Sequence, residues 1–226
     1  FIPYIIIILC FTGAMYPAID LTAGEKERGT METLLCSPVN RVNIALGKFL
    51  MVVTGSLATI TLSLTSMGLT IMVGGSLLGA GKGMAAAGAA GAAGAKAGPA
   101  FIPLIDPVGV LGVFAMIAPV AVFFAAVLLA ISLFAKSYKE AQSYVAPLII
   151  VIIMPAVIGM LPGIELSVKT ALVPILNLSL VCKEMLSGVW HWNYIAIIFG
   201  STCVYAAAAL ALTVRMFNRE DVIFRA

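Results

Sequence analysis

Apolar positions in this chain fall in long, nearly unbroken runs, and polar positions gather in a few short stretches between them. A helix needs about 20 consecutive apolar residues to cross the hydrocarbon of a bilayer, so each long run predicts one crossing. Five runs meet this description, at about 1–19, 42–73, 108–135, 144–161 and 194–214. Pro119 predicts a kink in the third span, and Pro147 and Pro155 interrupt the fourth. Residues 162–193 are broken by Pro174 and carry four charges, a pattern that suits outer interfacial or re-entrant helices rather than a crossing. Trp190, His191, Trp192 and Tyr194 follow as an aromatic cluster of the kind found at a membrane boundary. Residues 79–98 hold Ala or Gly at 17 of 20 positions, with Lys82 and Lys96 among them. They read as a low-complexity outer loop; the alternative is a membrane-inserted packing helix. The predicted fold class is an all-α membrane protein: a polytopic helical bundle forming a single transmembrane domain over 1–226.

Composition turns this pattern into an exclusion. The 226 residues are 62% hydrophobic and only 10% charged, against about 45–50% and about 25% in soluble domains. A soluble enzyme, a nucleic-acid binder and a disordered chain are excluded as the main reading. The chain begins inside an apolar run with neither Met nor a basic flank, which predicts a piece of a longer subunit rather than a cleaved signal peptide. Cys10, Cys36, Cys182 and Cys203 are scattered, with no C-x-x-C and no Cys/His cluster, so they read as free cysteines rather than metal ligands.

Charge sets the orientation. With the 20–41 segment on the cytoplasmic side, inner segments hold Lys26, Arg28, Arg41, Lys48, Lys136, Lys139, Arg215, Arg219 and Arg225. Outer segments then hold Lys82, Lys96, Lys169 and Lys183. Nine basic residues inside against four outside obeys the positive-inside rule. The expected location is the cell membrane, with several passes.

The 20–41 segment is the most unusual. Five of the chain's 23 charged residues, Glu25, Lys26, Glu27, Arg28 and Glu32, fall within eight positions. Thr22 and Glu25 have capping-box spacing, which predicts a helix starting there and running over about 23–36. Met31, Leu34 and Leu35 would share one face of it, and Pro38 forbids continuation. Two readings stand: an ordinary solvated loop, and a docking element for a partner.

The string GEKERGTMETLLCSP resembles the cytoplasmic coupling-helix segment of type-2 ABC exporter permeases. These carry E-x-E-R-G-T-hydrophobic-E-x-L followed by a Pro, and Glu27, Arg28, Gly29, Thr30, Glu32, Leu34 and Pro38 match position by position. The segments KSYKEAQSY, PGIEL…PILNLSL and FNREDVIFR are similar to the sodium-extruding, NatB-like branch of that family. The resemblance implies six spans in the complete subunit, in a prokaryotic cell membrane. It implies export of sodium or another small solute, driven by a separate ABC ATPase subunit. That subunit would grip the coupling helix at Glu25, Glu27, Arg28, Gly29, Thr30, Glu32, Leu34 and Leu35. ATP and magnesium would sit on the ATPase, and a second permease chain, as a homo- or heterodimer, would be needed to enclose a path.

The residues themselves give no chemistry to this chain. A phosphate loop reads G-x-x-x-x-G-K-[ST]; around Gly81-Lys82 the first glycine is replaced by Ser76 and the hydroxyl residue by Gly83. His191 belongs to the boundary cluster and reads as an interfacial polar residue. Asp20, Lys48 and Asp106 lie near span ends. A cation path would have to use hydroxyls such as Thr54, Ser56, Thr59, Thr61, Ser63 and Thr65, whose plainer reading is helix packing. Glu140, Glu220 and Asp221 read as surface charge or as further ATPase contacts. The competing function is a secondary transporter or channel independent of ATP, which calls for ionisable groups or broken helices at the midplane. A membrane-embedded enzyme, the third class, needs a nucleophile with its base or paired carboxylates at membrane depth.

Overall fold

The computed structural model describes residues 2–80, 107–159, 173–186 and 191–217. Among these, every regular element is a helix. Helix α1 (Ile2–Ile19) runs without interruption into a π-helical segment (Asp20–Gly24) and a last turn, α2 (Glu25–Glu27). Then come α3 (Thr30–Leu35), α4 (Arg41–Ala80), α5 (Pro107–Phe134), α6 (Tyr138–Ile158), α7 (Leu176–Leu186) and α8 (Trp192–Phe217). Lys82, Lys96, Asp106, Lys169, Trp190, Arg219, Glu220, Asp221, Arg225 and all but the first two residues of 79–98 lie outside the described residues.

Among the described residues, four helices are long and apolar enough to cross a membrane: Pro3–Glu27, Arg41–Thr70, Gly112–Phe134 and Trp192–Phe217. The remaining expected span, 144–161, falls largely within α6, which is 21 residues long, or about 30 Å at 1.5 Å per residue. Helix α4, at 40 residues, is about 60 Å long and overshoots any bilayer core. At 11 residues, α7 is only about 16 Å long and cannot cross. It packs instead against α5 and α1, burying Leu178, Val181, Cys182 and Met185.

Helices α1 and α5 form the centre. The Phe11 and Phe124 rings meet edge-on, with centroids 5.5 Å apart, the favoured geometry for an aromatic pair. Around them lie Ile7, Ala14, Ile117, Ala121, Ala125 and Leu128, all fully buried. Helices α1 and α4 approach so closely that a Cβ at Gly13 would stand 2.6 Å from Thr59 Oγ1. Beside that crossing, the Ser56 hydroxyl donates to the Cys10 carbonyl at 2.9 Å. Ser56 is therefore a packing group. Thr54, Thr59, Thr61 and Thr65 each donate to a carbonyl of their own helix, which satisfies a hydroxyl in an apolar setting.

The outside of the bundle is apolar: Leu62 on α4, Ile150 on α6 and Val204 on α8 are 71%, 65% and 66% exposed. Of the window that qualifies α8 as a span, only 17% is buried. Large hydrophobics left this bare are costly in water and at home in lipid or against another apolar chain.

Candidate functional site

The charged segment folds as an elbow at one end of the bundle. The α5–α6 turn and the end of α8 reach the same end, where Met31, Ala45, Leu133 and Phe217 form a small buried cluster. This collects Lys26, Arg28, Arg41, Lys48, Lys136, Lys139 and Arg215 on one side of the molecule, the described members of the group assigned inward from sequence.

The local structure corrects the sequence reading in two ways. No helix starts at Thr22. That residue is buried in the middle of a continuous helix, and its hydroxyl donates backward to the Ala18 carbonyl at 2.6 Å. Capping spacing carries meaning only where backbone N–H groups lack a partner, and the helix arriving from α1 leaves none free there. Nor is 23–36 one helix. Gly29 stands at φ +71°, in the left-handed region that glycine enters without strain, so it ends the first helix as an αL cap. The Gly29 N–H donates to the Lys26 carbonyl at 3.1 Å, and α3 leaves in a new direction.

Upstream, the Glu25 N–H reaches the Asp20 carbonyl, the i→i−5 pattern of a π turn, with Pro17 three residues before it. Such turns insert an extra residue and recur at functional positions. Beside it an open groove of about 440 Å³, lined by Tyr16, Pro17, Asp20, Leu21, Met51 and Tyr138, leaves one side of the joint unpacked.

Glu25 and Lys26 are half-buried, whereas Glu27 and Arg28 are exposed. Glu25 pairs with Lys48 of α4, whose side chain is 7% exposed against 23% for Glu25. The Lys48 ammonium also donates to the Leu21 carbonyl at 2.5 Å and lies 3.4 Å from Met31 Sδ. Lys26 donates to the carbonyl of Leu133, near the C-terminus of α5. Glu27 Oε2 accepts from the backbone N–H of Tyr138 at 2.7 Å, at the first residue of α6. Each of these two charges sits at the helix pole of opposite sign, an arrangement worth about 0.3–1 kcal/mol per end. A hydrogen bond to a charged group adds about 1.5–3 kcal/mol where water is excluded. Arg28 instead pairs with Asp20 at 2.9 Å, both side chains more than half exposed; exposed pairs contribute about 0–1 kcal/mol. The Lys48–Glu25 contact therefore dominates the elbow.

Thr30 is exposed, and its hydroxyl donates to the Glu25 carbonyl at 3.2 Å. Leu34 is half-buried, and Glu32 and Leu35 take the third and sixth positions of α3. The outward surface here includes Glu27, Arg28, Gly29, Thr30, Thr33, Cys36 and the following 38–40 segment. The structure thus divides the eight candidate residues. Glu25 is occupied inside the bundle, Glu27 by an exposed hydrogen bond to the α5–α6 turn and Arg28 by a surface tether, while α3 buries Met31 and exposes Thr30 and Thr33. Sequence reasoning placed Lys48 only near a span end and gave neither it nor Lys26 a partner. An ionisable residue within an apolar helix is itself a signal, and Lys48 supplied one. Glu140 is also occupied: its carboxylate accepts from the Lys136 N–H at 2.8 Å and from the Tyr144 hydroxyl at 2.5 Å. His191 Nδ1 lies 3.1 Å from Glu184 Oε2, which ties the start of α8 to α7.

Residues 1–215 match the family described as ABC-2 family transporter protein. Over 190 residues the chain is 30% identical to the ABC transporter permease protein NatB of Bacillus subtilis (strain 168), an alignment that covers 83% of this chain and 44% of that relative. The chain thus spans less than half the length of that relative. No solved structure matches it. With a family match from its first residue to the last turn of its last described helix, set on an all-helical membrane bundle, this chain belongs to the ABC-2 family of transporter proteins.

Proposed function

We propose that the chain is the membrane half of an ATP-driven exporter, coupled through its elbow to a separate ABC ATPase subunit that holds the ATP and magnesium. The observation that carries this reading is the elbow's attachment: one short charged segment is fastened to the ends of α4, α5 and α6, while Thr30, Thr33 and Cys36 in and just after α3 face outward. A loop that merely joined two spans would have no need of such ties. A segment that receives force from outside would, because rigid contacts let a small displacement move whole helices.

In this reading α3 and the 36–40 segment meet the ATPase, and closure of two ATPase subunits around ATP pushes on them. Gly29 and the π turn let the elbow pivot, and Glu25, Lys26 and Glu27 pass the displacement inward. Two permease chains enclose the path, and the bare apolar faces of α4, α6 and α8 meet lipid or the second chain. The elbow end faces the cytoplasm of a prokaryotic cell. Similarity of the connector and tail segments to the sodium-extruding branch supports sodium, or another small solute, as cargo.

The test is co-purification of the complete subunit with candidate ATPase subunits, followed by flux in sealed vesicles. Association, stimulated ATP hydrolysis and ATP-dependent flux are expected. Glu32→Ala should weaken association, whereas Glu27→Ala should spare association and lower flux. If Glu25, Glu27, Arg28 and Glu32 can all be replaced without loss of assembly or transport, the coupling role is wrong. Flux that needs ATP but ignores sodium removes sodium alone.

A further inference from the structure

Two neighbouring elbow residues of opposite charge, Lys26 and Glu27, reach the two sides of one distant turn. Lys26 takes the carbonyl of Leu133, among the last carbonyls of α5, and Glu27 takes the N–H of Tyr138, which opens α6. Only residues 135–137 lie between those helices. A helix C-terminus presents unpaired carbonyls and attracts cations, and a helix N-terminus presents unpaired N–H groups and attracts anions. The order of the charges therefore matches the order of the poles.

The cap of α6 supports a dedicated place for Glu27. The Ser137 hydroxyl accepts from the Glu140 N–H, and the Glu140 carboxylate accepts from the Lys136 N–H. That capping pattern leaves the Tyr138 N–H, and Glu27 takes it. Apolar packing backs the same contact, since Met31 is buried with Leu133 and Phe217.

We propose that Lys26 and Glu27 form a two-charge clamp that makes the α5–α6 turn move as one body with the elbow, so that a displacement of the elbow drives the second helical hairpin as well as α1 and α4. This inference rests on the coupling role proposed above. Lys26 and Glu27 are positioning residues: they touch no cargo and act through the two helix ends. Without them, the elbow would keep no charged tie to the α5–α6 turn and would meet α5 through apolar packing such as that of Met31 on Leu133.

The test uses the complete subunit assembled with its ATPase in lipid nanodiscs, with Cys203→Ser so that Cys36 is the accessible native thiol. Spin labels go on Cys36 and on Lys139→Cys, both exposed, and their separation is read by pulsed electron resonance without nucleotide and with ATP and vanadate. A second label pair, Cys36 to an introduced cysteine at exposed Trp192, reports movement of the elbow relative to the bundle. The clamp predicts that the 36–192 distance changes with nucleotide while the 36–139 distance holds. In Lys26→Met/Glu27→Gln the 36–139 distance should shift or broaden with nucleotide, with assembly retained, and Lys26→Arg should restore tracking. A merely stabilising contact would lower the unfolding midpoint of the double variant without altering how the two sites move together. The clamp is overturned if the 36–139 distance changes in the wild-type protein, or if the double variant still tracks. An unlabelled chain that retains no ATPase, or a labelled chain that retains it but shows no nucleotide response at 36–192, overturns the coupling role and the clamp with it.

Discussion

Removing either partner of the Lys48–Glu25 contact should destabilise the bundle, and the two removals should differ. The Lys48 side chain is 7% exposed and that of Glu25 is 23% exposed. Breaking a buried ion pair from one side costs about 3–5 kcal/mol, chiefly because the remaining charge is stranded away from water. In Lys48→Met the stranded group is Glu25, which can still hydrate or take up a proton, so the cost falls to about 2–3 kcal/mol. In Glu25→Gln the stranded group is the deeper ammonium, left with the Leu21 carbonyl and the Met31 sulfur, and the cost stays nearer 3–4 kcal/mol. The double variant strands nothing, so the pair should show a coupling energy of about 1–3 kcal/mol rather than additive losses. Equilibrium unfolding of the purified chain, by titrating sodium dodecyl sulfate into mild detergent micelles, measures all three values. At about 1.4 kcal/mol per tenfold, Lys48→Met shifts the folded-to-unfolded ratio by roughly 30- to 150-fold. Single variants within about 0.5 kcal/mol of wild type, a Lys48→Met loss larger than that of Glu25→Gln, or strict additivity would refute the reasoning.

Three further outcomes follow from the geometry. Gly13→Ala places a Cβ 2.6 Å from Thr59 Oγ1 and 2.8 Å from Thr59 Cβ, so it should cost about 1–3 kcal/mol by overpacking; adding Thr59→Ala removes Oγ1 but keeps Cβ, so it should recover only part of that in the same titration. Gly29→Ala meets no atom within 4 Å, so only its left-handed backbone matters; it should cost about 1–2 kcal/mol, and Gly29→Asn less, as read by thermal unfolding. In the isolated protein a water-soluble maleimide should modify exposed Cys36 first, and buried Cys10 and Cys182 only after denaturation, as followed by mass spectrometry. Rapid labelling of Cys10 in the folded protein would contradict the α1–α4 packing, in which the neighbouring Ser56 bonds the Cys10 carbonyl.

The spans were legible because bilayer thickness imposes a length, and runs such as 1–19 and 108–135 satisfy it without reference to the rest of the chain. The charged segment stood out through its composition, and its resemblance to the family motif through the order Glu27-Arg28-Gly29-Thr30. Its internal geometry was not legible. Thr22 and Glu25 carry a local capping signal, but α1 arrives already helical and overrides it. Gly29 fits both a loop and a helix cap, and only its φ of +71° decides. The partners of Lys26 and Glu27 lie 107 and 111 residues away, beyond any spacing rule. The stretch 176–186 carries two charges, Lys183 and Glu184, which drew it toward an interfacial reading, whereas its apolar side packs against α5 and α1. Amphipathicity alone does not say whether the apolar face of a short helix meets lipid or protein.

The central claim is that an ABC ATPase docks on α3 and the segment that follows it, and Cys36 lies there on the exposed surface. The most direct test is the rate of maleimide modification of Cys36 in the complete subunit, with Cys203→Ser, as the purified ATPase subunit is added. Docking predicts protection that saturates: with partner at about ten times its dissociation constant, roughly nine-tenths of the sites are covered and labelling slows about tenfold. An unchanged Cys36 rate, in a preparation where the two subunits demonstrably bind, would contradict the account.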